Sequence, residues 1–167
     1  MNNSTYDMRL LEHDELNVVK AMAHDIWPRV YDYMISQDQI SYMLSVMYDL
    51  DKLKQQWLEG VKFVVLEVEG IAQGFASFEE KEECIFLHKL YLRPEMQGKG
   101  FGKKMLHVVT DFAIDCKKPC VELTVNRNNK SLEFYLGNGF QVKEEKDFDI
   151  GGGYFMNDYI LSLPIIP

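Results

Sequence analysis

Hydrophobic positions along the chain follow two periods, and the switch between them falls at Lys62. Upstream, Leu16, Val19, Met22, Ala23 and Ile26 recur at helical spacing. They predict a helix over Asp14–Ala23, which Pro28 interrupts or follows with a new turn. Ile40, Met43, Leu44 and Met47 mark one face of a second helix, and Ser36-Gln37-Asp38-Gln39 before it fits a capping box. Asp51 is placed to cap a third piece that runs through Trp57 and stops at Gly60. Short Tyr6–Leu11 precedes these as a candidate first strand.

Downstream the pattern is that of strands. Lys62–Val68 and Ile71–Glu80 read as a hairpin around Glu69-Gly70, and Glu82–Leu92 as a third strand that Pro94 stops. Phe101, Met105, Leu106, Val109, Phe112 and Ala113 return to helical spacing. Cys120–Val125 is a strand and Ser131–Leu136 a helix ending at Gly137-Asn138-Gly139. Phe140–Lys146 and Tyr154–Leu163 are the last strands, with Gly151-Gly152-Gly153 in a turn or bulge between them. Hairpins combined with crossover helices require a mixed sheet, so the fold class is α/β (α+β). No repeat or linker divides the chain, which reads as a single domain over 1–167.

Composition narrows the function. A chain of 167 residues, 47% hydrophobic and 26% charged, is an ordinary globular protein with material for one core. The net charge of -8 argues against nucleic acid and anionic membrane surfaces as partners, and suits a cationic small molecule. The 3 cysteines, Cys84, Cys116 and Cys120, form no C-x-x-C pair and fit a reducing compartment. With no apolar leader or membrane-length run visible, a cytoplasmic location is expected. No His, Cys or carboxylate cluster has metal-ligand spacing, so no metal is expected.

One segment reverses the acidic balance. In Gln97-Gly98-Lys99-Gly100-Phe101-Gly102 glycines alternate between a strand and a helix, and Lys99, Lys103 and Lys104 add positive charge. Glycine allows close backbone approach, and the first N–H groups of the following helix are unsatisfied, a combination that favours phosphate oxygens. A Walker A loop fails, because Lys104 follows Gly102-Lys103 and position 97 is Gln; a dinucleotide fingerprint fails at Lys103.

The stretch from Leu87 to Gly102 resembles the central motif of the GNAT superfamily of N-acetyltransferases, Gln/Arg-x-x-Gly-x-Gly/Ala, through Gln97, Gly100 and Gly102. Asn126, Asn129, Phe134-Tyr135 and Gly139-Phe140 resemble the family's downstream stretch in the expected order. The N-terminal helices and acidic balance bear a slighter similarity to bacterial polyamine acetyltransferases. The resemblance implies a GNAT-like, mostly antiparallel seven-stranded sheet with helices on both faces and a splay between strands 4 and 5. It implies acetyl-CoA as co-substrate, with the pyrophosphate on Gln97, Gly98, Lys99, Gly100, Phe101, Gly102 and Lys103. Leu90, Tyr91 and Leu92 would pair with the pantetheine arm, with Asn126 and Asn129 nearby; Asn129 also suits a helix cap. A homodimer would be usual for the family.

Acetyl transfer to an amine needs an unprotonated nucleophile, an oxyanion donor and a proton for the leaving thiolate. The resemblance gives Tyr135 as acid and a backbone N–H near Leu90 as oxyanion donor. His88, two residues before Leu90 and so expected on the same strand face, is the candidate base, with Glu79 and Glu122 as alternatives. His13, His24 and His107 read as structural or exposed. Trp27, Tyr31, Tyr33, Tyr48, Asp147, Asp149 and Tyr154 are candidates for an acceptor pocket built by the first helices and the last hairpin. The expected acceptor is a primary amine of a small molecule. Acetylation of a protein lysine or N-terminus, and a non-catalytic acyl-CoA sensor, stay open.

Overall fold

A computed structural model describes residues 4–166. Strands β1 (Tyr6–Leu10), β2 (Lys62–Val68), β3 (Ile71–Glu80) and β4 (Ile85–Leu92) pair antiparallel in sequence order. β4 then meets β5 (Cys120–Asn126) in parallel, and β7 (Tyr154–Pro164) lies antiparallel between β5 and β6 (Gln141–Gly151). The 7-stranded sheet thus runs β1-β2-β3-β4-β5-β7-β6. Helices α1 (Asn17–Tyr31), α2 (Gln37–Met47) and α3 (Leu50–Leu58) cover one face; α4 (Phe101–Asp115) and α5 (Ser131–Gly137) cover the other.

Two cores follow from the alternation of β2. Phe63 and Val65 pack under α1–α3, whereas Val64, Leu66 and Val68 pack under α4. A strand covered on both faces is apolar at successive positions, as Phe63–Leu66 are.

Several boundaries differ from the sequence expectation. Pro28 neither ends nor restarts a helix but lies inside α1. Its ring forfeits one backbone bond, but buried Ile26, Trp27 and Tyr31 hold the helix across it, and the Trp27 indole donates to Tyr48 Oη at 3.1 Å. Asp49, not Asp51, caps α3, accepting from the Lys52 N–H at 3.3 Å. Ser36 caps α2 as expected, but the Gln39 amide reaches toward Met43 instead of closing the box. β6 runs on to Gly151, past the expected end at Lys146, as an exposed edge strand with bulges. Its turn is seated on α2, where Tyr42 Oη donates to the Ile150 carbonyl at 2.9 Å.

Two irregularities of β4 shape what lies above it. Pairing with β5 covers Ile85–Leu87 against Val121–Leu123 and then stops, so the strands diverge. On the β3 side the register shifts between Ser77 and Phe78, whose partners are Lys89 and Leu87. His88 is the extra residue of a β-bulge. Gly74 lets the end of β4 lie close to β3: a Cβ there would sit 2.6 Å from Leu92 Cδ2 and 2.7 Å from the Tyr91 carbonyl oxygen. Gly74→Ala is therefore expected to cost about 1–3 kcal/mol and to displace Tyr91–Leu92. A lower melting temperature together with weaker acetyl-CoA binding by calorimetry would be the signature; unchanged values would show that β4 can shift freely.

Candidate active site

Two cavities open along the free edge of β4. The larger, about 730 Å³, runs between the end of β4, the glycine loop and α5. Of the expected cofactor residues, Leu90, Tyr91, Leu92, Gln97, Gly98, Gly100, Gly102, Lys103 and Asn129 line it. Lys99 and Phe101 do not, and Asn126 lines the other cavity. Gly98 and Gly100 adopt φ of 75° and 85°, open to glycine without strain. No side chain caps the first turn of α4, so its N–H groups remain available to an anion. Gly102 has a different reason: a Cβ there would come within 3.3 Å of the Phe134 ring. Lys104 is engaged elsewhere, donating to Tyr6 Oη at 3.2 Å. Arg29 of α1 grips Glu95, just before the loop, with bonds of 2.5 and 3.0 Å. That hydrogen bonding pulls the Glu95 pKa down to about 2.

The smaller cavity, about 270 Å³, is a chamber between the sheet and helices α1–α3. Trp27, Tyr31, Phe86, Tyr91 and Phe155 give it aromatic walls, and Met43 and Met47 of α2 with Met34 of the turn before it line one side. Tyr48 stands behind Trp27, and Tyr33 follows the larger cavity. The last hairpin contributes Phe155, Met156 and Asp158, not the expected Asp147, Asp149 and Tyr154. Asp147 is paired with Arg127 at 2.8 Å, Asp149 accepts from the Gly151 N–H at 2.9 Å, and Tyr154 stacks on Tyr42.

The bulge decides which β4 side chains enter the chamber. His88 and Lys89 both turn into it, whereas the Leu90 side chain packs toward the α4 core even though the residue borders the chamber, so His88 and Leu90 do not share a face as simple alternation predicts. His88 Nε2 lies 2.8 Å from Glu79 Oε1. Burial lowers the His88 pKa, and the Glu79 bond opposes it only in part. Lys89 is 7% exposed and lies over the Tyr48 ring, 5.3 Å from its centroid. Burial brings its pKa down to about 8. Asp158 is 2% exposed, and its Oδ1 has no partner among the described residues. Burial raises its pKa to about 6.

The cavities meet at Tyr31, Leu90, Tyr91, Asn129, Ser131 and Tyr135, which line both. Asn129 fixes this junction. Its Oδ1 accepts from the Ser131 N–H at 2.8 Å and from the Ser131 hydroxyl, at the first residue of α5. Its Nδ2 donates to Tyr31 Oη at 3.4 Å, which in turn lies 2.9 Å from Tyr91 Oη. Tyr135 is buried and its hydroxyl pKa is raised well above the ordinary value by burial, so it keeps its proton. Among the described residues no cluster of His, Cys, Asp or Glu is arranged to hold a metal ion, and no helix is long and apolar enough to cross a membrane.

Residues 32–154 match the family model of the acetyltransferase (GNAT) domain. A spermine/spermidine N(1)-acetyltransferase of Bacillus subtilis (strain 168) is 30% identical over 143 residues, covering 78% of this chain and 91% of that protein. A spermidine N(1)-acetyltransferase of Thermoplasma acidophilum is 26% identical over 151 residues, covering 86% of this chain and 92% of its own. In fold, the chain is similar to a PaiA N-acetyltransferase of Thermoplasma acidophilum solved in complex with coenzyme A. The TM-score is 0.82 at 23% identity, with 96% of this chain and 99% of that one covered. The chain belongs to the GNAT family of N-acetyltransferases, enzymes that use acetyl-CoA as acyl donor.

Sequence reasoning did not single out Lys89 or Asp158. The available signal was a charged residue at an inward position of an otherwise apolar strand. Asp158 has a measurable cost. Its pKa rises from 3.8 to about 6 on folding, so the ionised form opposes folding above pH 6. Asp158→Asn is expected to raise stability at pH 8 by on the order of 1–3 kcal/mol. The gain should shrink as pH falls through about 6 and vanish near pH 3.8. Melting temperatures of both proteins across this range test it, and a pH-independent difference would mean that Asp158 is not ionised at a cost.

Proposed function

We propose that the chain, acting as one unit over 1–167, transfers the acetyl group of acetyl-CoA to a primary amine of a small molecule. The observation that carries this reading is the meeting of a phosphate-suited groove and an aromatic chamber at Tyr135. In this reading the pyrophosphate lies on the α4 N-terminus and glycine loop, and the pantetheine arm pairs with the free backbone of Leu90–Leu92. The thioester then reaches the junction, with the amine in the chamber. A volume of about 270 Å³ suits a small acceptor. The three cysteines, free in the structure, fit a reducing, cytoplasmic setting.

The chemistry is direct. The neutral amine attacks the thioester carbonyl, forming a C–N bond and an oxyanion that the backbone N–H near Leu90 receives. Collapse breaks the C–S bond, and Tyr135 supplies a proton to the departing thiolate. His88, poised neutral by burial and oriented by Glu79, takes the amine's proton directly or through water.

Tyr135→Phe is expected to lower kcat by roughly 10²–10⁴-fold while calorimetry finds acetyl-CoA affinity nearly unchanged. Near-normal turnover would exclude Tyr135 as the acid. For His88, the kcat–pH profile should rise with an apparent pKa below 6.5, since the base must be neutral and its pKa is lowered. That limb should disappear in His88→Ala; an unaltered profile would assign the base elsewhere.

A further inference from the structure

The chamber holds one carboxylate, Asp158, against two ammonium groups, those of Lys89 and Lys52. Asp158 is 2% exposed with an unpartnered oxygen, and Lys89 is 7% exposed with no ion-pair partner among the described residues. The charged group that bears most on Lys89 is itself cationic, Lys52. Gln56 adds a buried amide oxygen that also lacks a partner. The nearby His88 is engaged with Glu79 at 2.8 Å. Arg127 holds Asp147 through one terminal nitrogen at 2.8 Å, while its buried Nε has no hydrogen-bond partner among the described residues. Its charge favours an ionised Asp158 without a hydrogen bond to it. Lys89 and Asp158 thus share one chamber without pairing with each other. Buried opposite charges left apart call for a ligand that carries both complements.

A polyamine carries several ammonium groups. Only one would find a carboxylate here, and the others would face Lys89 and Lys52. We infer that the acceptor is an amino-carboxylate, its ammonium end at Asp158 and its carboxylate at Lys89 and Lys52. This rests on the acetyltransferase reading above and narrows it. Topology orients the molecule. Asp158 pairs in register with Asn126, at the end of β5 that leads to α5 and Tyr135, so the amine faces the thioester. Lys89 and Lys52 lie toward α3, and the carboxylate points there. The ammonium sheds one proton to become the attacking amine and a second as the amide forms. The C–S bond breaks and CoA leaves as the thiol, with one of these protons replaced on sulfur while the other passes to solvent. The product is an N-acetylamino carboxylate.

The test follows CoA release from acetyl-CoA with α- and ω-amino carboxylates, their decarboxylated amines, spermidine and spermine. At least one amino-carboxylate should exceed its decarboxylated counterpart and spermidine in kcat/KM by roughly tenfold or more. Lys89→Met, which keeps the apolar stem over Tyr48, should remove that preference through KM for the carboxylate. Lys52→Met, on the surface of α3, carries the same test should Lys89→Met melt without cooperativity. A preference for spermidine over every amino-carboxylate overturns the inference, as does a carboxylate preference that survives both substitutions. Folded enzyme that releases CoA with no amine at all would remove the acetyltransferase reading beneath it, a separate result.

Discussion

Beyond Leu87 the hydrogen bonds between β4 and β5 end, and the two strands part around α5. A buried strand seldom leaves one edge unpaired, because each free N–H and C=O loses water without gaining a partner. Here that edge opens into both cavities, which is where the proposed pantetheine arm would complete the ladder. The bulge at His88 acts on the same strand from the other side. It turns two consecutive polar side chains into one chamber, which regular alternation could not do. Gly74 allows the strand to keep this bent course against β3.

Charge on this protein is organised locally. A net charge of -8 describes the surface that solvent meets. The groove is bordered by Lys103 and an uncapped helix terminus, and the chamber carries more ammonium groups than carboxylates. An acidic total therefore says little about what the site prefers. Asp158 makes the point most clearly: a carboxylate held without a partner weakens the fold, and a ligand's ammonium group would relieve that cost.

The glycine loop and its groove were legible in the sequence because the signal is local. Glycine spacing, a strand before it and a helix after it define the loop from adjacent residues, and nine of the expected cofactor contacts line one groove. The chamber is assembled from distant segments. Asp158 and Lys89 look like ordinary polar interruptions of a strand until the sheet order sets β7 beside β5. The bulge that turns His88 and Lys89 inward has no residue signature in Leu87-His88-Lys89-Leu90. Pro28 misled for a related reason, since a local rule was outweighed by the burial of Trp27 and Tyr31 around it.

The bond from Tyr42 to Ile150 joins positions 108 apart in sequence. It seats α2 on the last hairpin, which carries Phe155, Met156 and Asp158 of the chamber. Contacts of such long separation are late and slow, because a large loop must be ordered first. During synthesis the helices α1–α3 and the donor loop leave the ribosome before β7 exists. Until then Met43 and Met47, which border the chamber, have no β7 across from them. The chamber's walls, drawn from both ends of the chain, can close only once β7 is in place.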